Sequence, residues 1–238
     1  MAWFSGFFGG TARYEPSLPA VQQERLADWR ELPPADLRSS HLNTRYVVVD
    51  VETSGLNMKQ DRLISIGAVA LLGGKMDFAD AFQVVLRQDR VSTHENILIH
   101  GIGGSAQSEG MDPTEALLLF LQYIGKSPLV AYHAFFDQSM IDKAMAEYLG
   151  IKLEQTWIDL AWVMPDFFQF RPDARVPLDD WLQLFEIENI LRHNAVSDAY
   201  ATAKLLQVTI AAGNKKGADS PSSFLKIEKS RRWMYESR

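Results

Sequence analysis

The stretch VVVDVETSGL, residues 47–56, predicts a central buried strand that ends in two acids. Three valines lead into Asp50, and a second acid, Glu52, follows two positions later. The β-branched run predicts a buried strand, and residues i and i+2 of a strand share one face. Asp50 and Glu52 therefore point the same way and repel each other unless a positive charge lies between them. Because D-x-E arises about once by chance in a chain of this length, the pattern needs support from elsewhere in the sequence.

The composition is that of a globular protein that does not rely on cysteine. The chain has 238 residues, of which 47% are hydrophobic, and it contains no cysteine. Disulfides, thiol nucleophiles and cysteine-type zinc sites are thereby excluded, and we expect a cytoplasmic location. No apolar run approaches the roughly eighteen residues of a membrane span. The aromatic N-terminus MAWFSGFFGG lacks the basic region of a signal peptide and is interpreted as a loose or self-docking tail.

Charge is distributed unevenly along the chain. The net charge is −6, which disfavours a protein that coats nucleic acid electrostatically. Residues 214–238 nevertheless contain seven Lys or Arg against three acids, a net charge of +4, and the remainder carries −10. This basic tail is interpreted either as a solvated terminus or as a contact with nucleic acid or a protein partner.

The order of the elements predicts an α/β fold. Strand patterns over residues 44–51, 61–74 and 75–87 are joined so closely that they should be antiparallel neighbours. Helical and short strand patterns then alternate as far as residue 213, with further strands at 127–134 and 156–160. We therefore expect one mixed five-stranded sheet, three antiparallel strands followed by parallel ones, flanked by helices. The expected divisions are an N-terminal extension with a short helix (1–43), the main domain (44–212) and a basic C-terminal tail (213–238).

Three further residues stand where they can join the paired acids. Asp137 follows the LVAY strand at the start of a helix, in HAFFD. In RHNAVSDAY, His193 enters the last long helix and Asp198 lies a turn or so inside it. Because sites in open α/β sheets form at the carboxyl ends of strands, these residues are expected to converge with Asp50 and Glu52.

Four acids and one histidine in this order resemble the DEDDh family of 3′→5′ exonucleases, to which the proofreading epsilon subunit of bacterial DNA polymerase III belongs. The motifs are VVDVETSGL, HAFFD and HNAVSDA, and the resemblance covers residues 44–212. It implies a ribonuclease H-like fold and hydrolysis of nucleotides from a 3′ end. One departure is that the second motif usually carries Asn four residues before the acid, where this chain has His133.

The resemblance also implies the chemistry of the site. Two Mg²⁺ or Mn²⁺ ions would be held by carboxylates, which are the ligands that these hard cations prefer. Asp50 would bridge both ions, with Glu52, Asp137 and Asp198 completing the shells. His193 would take a proton from the attacking water as general base, so activity is expected to rise with pH through the neutral range.

Substrate contacts follow from the same resemblance. Thr53, Ser54 and Leu56, after D-x-E, are expected to cradle the terminal nucleotide. His100, in ILIHGI, is expected near the terminal sugar or phosphate, and Phe136 against a base or sugar. For Leu56 and Phe136, core packing is the competing interpretation. The expected substrate is a 3′ end of DNA, single-stranded or frayed, with RNA trimming as the alternative, and a polymerase or other protein is a possible partner through the terminal extensions.

Three other functions were weighed. GIGGSA (101–106) matches a loose dinucleotide fingerprint but lacks the acid expected about twenty residues later. A zinc hydrolase built on His94, His100 and His133 is disfavoured, because the sequence has no helix with the H-x-x-x-H pattern that would hold the ion. A non-catalytic module that binds nucleic acid or a partner is disfavoured because all five catalytic candidates are present, and a magnesium-dependent degradation assay would decide.

Overall fold

A mixed sheet forms the centre of the fold. The structure is a computed structural model that describes residues 17–168 and 176–237, without the side chain of Phe78. Within those residues the sheet has five strands: β1 (Tyr46–Thr53), β2 (Leu63–Leu72), β3 (Lys75–Val85), β4 (Leu129–Ala131) and β5 (Trp157–Asp159). Their order is β3-β2-β1-β4-β5. The β1–β2 and β2–β3 pairs are antiparallel, whereas β1–β4 and β4–β5 are parallel, so the predicted fold class is confirmed.

Helices cover both faces of this sheet. In chain order they are α1 (Ala20–Glu31), α2 (His94–His100), α3 (Gly104–Ser108), α4 (Pro113–Ile124), α5 (Phe135–Leu149), α6 (Leu160–Phe167), α7 (Leu178–Leu184), α8 (Ala195–Lys215) and α9 (Pro221–Glu236), with a short 3-10 turn at His41–Asn43. Among these helices none has the length and apolar character needed to cross a bilayer within the described ranges. Residues 169–175, in the predicted helical connection, lie outside the described part.

The alternation of β1 creates two cores. Val47 and Val49 face one side and pack with α4 and α5, whereas Tyr46 and Val48 face the other and pack with α6 and α8. Because helices cover both faces of the sheet, the residues of β1 that precede Asp50 are all apolar or aromatic. The first acidic residues of the strand therefore stand at its carboxyl end, where they are partly buried.

A glycine inside β2 lets α8 come close to the sheet. Gly67 pairs with Asp50 across the β1–β2 ladder. A Cβ added at Gly67 would lie 2.2 Å from the carbonyl carbon of Ala195, the first residue of α8. Any larger residue would push that helix end away. The absence of a side chain at Gly67 thus places the first turns of α8 over the acid-bearing end of β1.

Both terminal extensions contain a helix that packs on the domain. The short helix predicted in the N-terminal extension is α1, whose Trp29 indole donates to the carbonyl of Gly125 at 2.8 Å. The aromatic residues at the N-terminus fall within 1–16, outside the described residues. In the basic C-terminal segment, α9 buries Phe224 completely against the second core.

Candidate metal centre

Three carboxylates meet at the carboxyl end of β1. Asp50 and Glu52 project from the same face of the strand, and Asp198 reaches them from the first turns of α8. One oxygen from each lies within 4.8 Å of the others. Asp198 is 3% exposed, and the two strand acids are partly buried. Carboxylate oxygens grouped this closely are the ligand set of a hard divalent cation.

Asp137 stands beside this group with a different partner. It is the third residue of α5 and is 6% exposed. Its Oδ1 accepts the N–H of Val51 at 3.1 Å, which ties the start of α5 to β1 between the two strand acids. Its negative charge still raises the pKa of Asp50. The structure therefore brings the four predicted acids to one edge, three of them in the close group.

The acids strongly disfavour being charged together. Burial, followed by the charges of Asp137, Asp198 and Glu52, raises the pKa of Asp50 well above its ordinary value. Burial and then Asp198 raise the pKa of Glu52 to about 8. Burial is also the main cause that raises the pKa of Asp137 to about 8. A divalent cation would remove this repulsion, so the donors and their excess negative charge both fit Mg²⁺ or Mn²⁺.

One arginine offsets part of that charge. Arg192 Nη1 contacts Asp198 Oδ2 at 2.8 Å, and its Nε contacts Asp179 Oδ1 at 2.8 Å. Its positive charge lowers the pKa of both Asp50 and Glu52, against the larger raising effects. Sequence reasoning missed this role, because nothing in the local pattern links Arg192 to Asp179.

His193 lies on the loop that enters α8, as predicted. Its backbone has φ 62°, and its N–H donates to Asp198 Oδ2 at 3.0 Å. The side chain is exposed. Asn194 caps the helix by accepting the N–H of Ser197, and the Asn189 amide donates to Asp198 Oδ1. Asp198 is thus fixed by donors from the loop, and His193 is one of the residues of that loop.

The departure at His133 has a conformational explanation. His133 adopts φ 61°, the left-handed region in which Asn, Asp and His are the most frequent residues other than Gly. Its N–H donates to Asp159 Oδ1 at 2.9 Å, at the end of β5. A histidine therefore satisfies the same backbone requirement as asparagine. Asp159, 2% exposed, was another residue that sequence reasoning missed.

The predicted substrate contacts fall into two groups. Leu56 is 85% exposed, which excludes core packing, whereas Phe136 packs partly buried against the first core. Thr53 Oγ1 donates to the carbonyl of Gly55, and Ser54 Oγ donates to Asp61, so both shape the loop after β1. These four residues remain predictions as nucleotide contacts.

His100, the remaining predicted contact, is 5% exposed. Its Nδ1 accepts the N–H of Ile102 at 3.0 Å, and burial lowers its pKa. His100 therefore holds the α2–α3 connection, and its contact with a nucleotide stays a prediction.

Two competing interpretations lose support. GIGGSA contains Gly101, which ends α2 with φ 69°, and Gly103, which caps the five-residue α3, so it does not join a strand to a long helix. Among the described residues, the acids of β1 and α8 form the metal-type group, and His94, His100 and His133 do not form another.

Comparison with known proteins agrees with this geometry. The Exonuclease family model matches residues 47–206. A DNA polymerase III PolC-type of Caldanaerobacter subterraneus subsp. tengcongensis is 32% identical over 69% of this chain, which spans 11% of that protein. DNA polymerase III subunit epsilon of Escherichia coli (strain K12) is 28% identical over 68% of this chain and 70% of its own length.

A solved structure shares the fold. E. coli Exonuclease I in complex with a dT13 oligonucleotide matches with a TM-score of 0.61 at 16% identity, over 73% of this chain and 42% of that one. The family match covers most of the chain and includes every motif residue. The chain therefore belongs to the Exonuclease family, as a DEDDh exonuclease with a ribonuclease H-like fold.

Proposed function

We propose that this protein is a metal-dependent exonuclease that releases 5′-mononucleotides from the 3′ ends of DNA, single-stranded or frayed. The observation that carries the proposal is the convergence of Asp50, Glu52 and Asp198 within 4.8 Å at the carboxyl end of the central strand. The family match and the relatives named as DNA polymerase III chains support DNA as the substrate.

Four carboxylates are proposed to hold two Mg²⁺ or Mn²⁺ ions: Asp50, Glu52, Asp137 and Asp198. When bound, such a pair neutralises the nonbridging phosphate oxygens and lowers the pKa of the attacking water. The chain's own contribution is to keep the carboxylates in place before binding. Asp137 is held by the Val51 N–H, and Asp198 by Asn189, Arg192 and the His193 N–H.

His193 is proposed as the general base. His193 is exposed, and its backbone N–H is bonded to Asp198, one of the proposed metal ligands. The backbone contact keeps His193 at the loop that fixes Asp198 and leaves its side chain free of hydrogen bonds to the acids within the described residues. A neutral imidazole can accept the proton of the attacking water.

The exposed loop after β1 and the net charge of the chain both favour a substrate that is bound at its 3′ end. Leu56, four residues after Glu52, has an exposed apolar side chain and is proposed to contact the terminal nucleotide. The net charge of −6 suits a protein that contacts few nucleotides and leaves charge neutralisation to bound metals. The polymerase names of the relatives support a polymerase partner, for which the terminal extensions are the candidate contacts. The absence of cysteine favours a reducing compartment such as the cytoplasm.

The direct test compares 5′-labelled single-stranded DNA, duplex DNA and RNA of matched sequence. Each is incubated with the full chain in Mg²⁺, Mn²⁺ or chelator, and the products are resolved over time. Stepwise shortening of DNA from the 3′ end, lost in chelator and in a folded Asp198→Ala variant, is the expected result. Undiminished activity of that variant would exclude the proposed centre, and faster loss of RNA would make RNA the substrate.

A further inference from the structure

We propose that the outer face of α9 binds the single strand whose 3′ end enters the metal centre. This face consists of Lys226, Lys229 and Trp233, which follow one another at helical spacing on the exposed side. The inference rests on the proposed exonuclease function, and it concerns nucleotides upstream of the one that is cleaved. Residues of α9 lie beyond the 47–206 range of the family match.

The direction of α9 brings one of its ends to the catalytic edge. Near its start, the Ser222 N–H donates to the carbonyl of Leu37, in the segment that precedes β1. Near its end, Arg232 Nη2 contacts Asp159 Oδ2 at 2.9 Å, at the carboxyl end of β5. Because β5 and β1 both run parallel to β4, this end of α9 lies at the edge where Asp50 stands.

A short chain of contacts links α9 to the second motif. Asp159 Oδ2 binds Arg232, and its Oδ1 accepts the N–H of His133. His133 begins the turn that leads into α5 and Asp137. The last turns of α9 are therefore neighbours of a loop that supplies an acid to the catalytic edge. A strand leaving that edge on this side would reach the end of α9 that carries Trp233 before the end that carries Lys226.

The inner face of α9 packs on the rest of the protein, whereas the outer face is exposed. Phe224 is fully buried, and Arg232 is held by Asp159 and Glu228. Trp233, by contrast, is 68% exposed. Within the residues that the structure describes, Lys226 and Lys229 form no ion pair and both are exposed. An exposed indole next to free ammonium groups has no evident structural use.

The chemistry of this face matches a single-stranded polynucleotide. An aromatic ring offers a surface on which a base stacks, and lysines attract the phosphates that follow. Trp233 and Lys226 are seven residues apart, about 10 Å along the helix axis. The basic segment that contains α9 carries +4 in a chain whose remainder carries −10. Charge complementarity therefore favours a polyanion over an apolar protein partner.

The test measures how the loss of binding depends on strand length. Anisotropy of 5′-labelled dT20 and dT3 is recorded in chelator with the wild type, Trp233→Ala, and a Lys226→Gln/Lys229→Gln double variant. Trp233→Ala is expected to weaken dT20 binding by about five- to a hundredfold, the range for one stacked base, with at least a fivefold smaller loss for dT3. Trp233→Phe should recover most of the loss. The double variant should lower the salt dependence of log K by about 1.4.

The matched control is Lys75→Gln/Lys152→Gln. Lys75 starts β3 and Lys152 follows α5, both at the opposite edge of the sheet, and both are exposed. This control should bind dT20 like the wild type. Unchanged dT20 binding in both α9 variants, or equal losses for dT20 and dT3, would overturn the inference. Hydrolysis of dT3 by the wild type in Mn²⁺ is scored separately, since its absence would contradict the proposed function and not the length dependence of binding.

Discussion

Two groups of buried carboxylates lie at the same edge of the sheet, and they are neutralised in different ways. At β5, Asp159 and Glu228 share Arg232, whose guanidinium contacts each of them at 2.9 Å. Asp159 Oδ1 also accepts the N–H groups of His133 and Ala161, at 2.9 and 3.1 Å. Burial raises the pKa of Asp159 and of Glu228 as well, but Arg232 and the N–H donors act in the opposite direction, so the protein itself supplies partners for this group.

At β1 the acids outnumber their partners. Asp50, Glu52, Asp137 and Asp198 are offset, among the described residues, by Arg192, which pairs with Asp198. The pKa values of Glu52 and Asp137 rise to about 8 as a result of burial and neighbouring charge. The contrast teaches that buried acids alone do not indicate a metal centre. A metal centre is indicated where the buried acids outnumber the cations and hydrogen-bond donors that the chain itself provides.

The largest expected effect comes from removing one acid at β1. Asp50→Asn should lower nuclease activity by more than about 100-fold, beyond the loss seen when an outer partner of a metal ligand is removed. In chelator at pH 8 the same variant should melt at a higher temperature than the wild type, because it removes a buried charge from a repulsive group. Steady-state degradation and thermal unfolding check the two parts. If Asp50→Asn melted at a lower temperature than the wild type in chelator, the acids at β1 would not form a group that repels itself.

Gly67→Ala tests whether close packing holds the β1 group together. A Cβ there would lie 2.2 Å from Ala195, so α8 must shift and carry Asp198 away from Asp50. We expect a loss of about 1–3 kcal/mol in the free energy of unfolding and a lower Mn²⁺ affinity. Denaturant unfolding and calorimetric titration measure both.

The control for that change is Gly103→Ala. Nothing lies within 4 Å of the added Cβ, and φ is −63°. This variant should unfold and bind Mn²⁺ like the wild type. If Gly67→Ala behaved in the same way, the close approach of α8 would not be what gathers the acids.

Asp159→Asn is expected to lower the stability of the metal-free protein, whereas Asp50→Asn is expected to raise it. Removing the charge leaves the Arg232 guanidinium beside a neutral amide, so the free energy of unfolding should fall by about 2 kcal/mol, less than the roughly 3–5 kcal/mol for a fully buried pair because Arg232 is 37% exposed. Chemical denaturation of metal-free protein measures it. Stabilisation by this substitution, as expected for Asp50→Asn, would remove the distinction between the two groups.

The pH dependence of metal-free stability should report the β1 group. For Glu52 and Asp137, the folded state raises the pKa from 4.5 and 3.8 to about 8. Each then stabilises the fold at low pH and loses that contribution as pH rises toward 8, because the unfolded chain ionises first. In chelator the melting temperature should fall by roughly 4 °C or more between pH 5 and 8. Mn²⁺ should reduce this fall, and a melting temperature that rises with pH in chelator would contradict the assignment.

Much of this arrangement was predictable from short-range patterns. The strand that ends in Asp50, the acid at a helix start and the histidine before Asp198 all follow from local sequence. The mixed sheet, with three antiparallel strands followed by parallel ones, was predicted from closely linked strands and alternating helices. Gly67 also left a readable signal, since a glycine within an apolar strand often marks the close approach of another backbone.

The partners of the acids were not predictable in the same way. Arg232 and Asp159 are 73 positions apart, and Arg192 reaches Asp179 through a turn whose shape no motif encodes. Such pairs depend on tertiary packing, which a single sequence does not report. The same limit applied to α9, whose charge was evident although its docking on β5 and α6 was not.

The most direct test of the account is a calorimetric titration of Mn²⁺ into the wild type, Asp50→Asn and Glu228→Gln at pH 8. Glu228 belongs to the neutralised group at β5, so its variant controls for the loss of a buried carboxylate as such. We predict that the wild type and Glu228→Gln bind Mn²⁺ with similar affinity and that Asp50→Asn loses this binding. Equal binding by Asp50→Asn and the wild type would contradict the assignment of a metal centre at the end of β1.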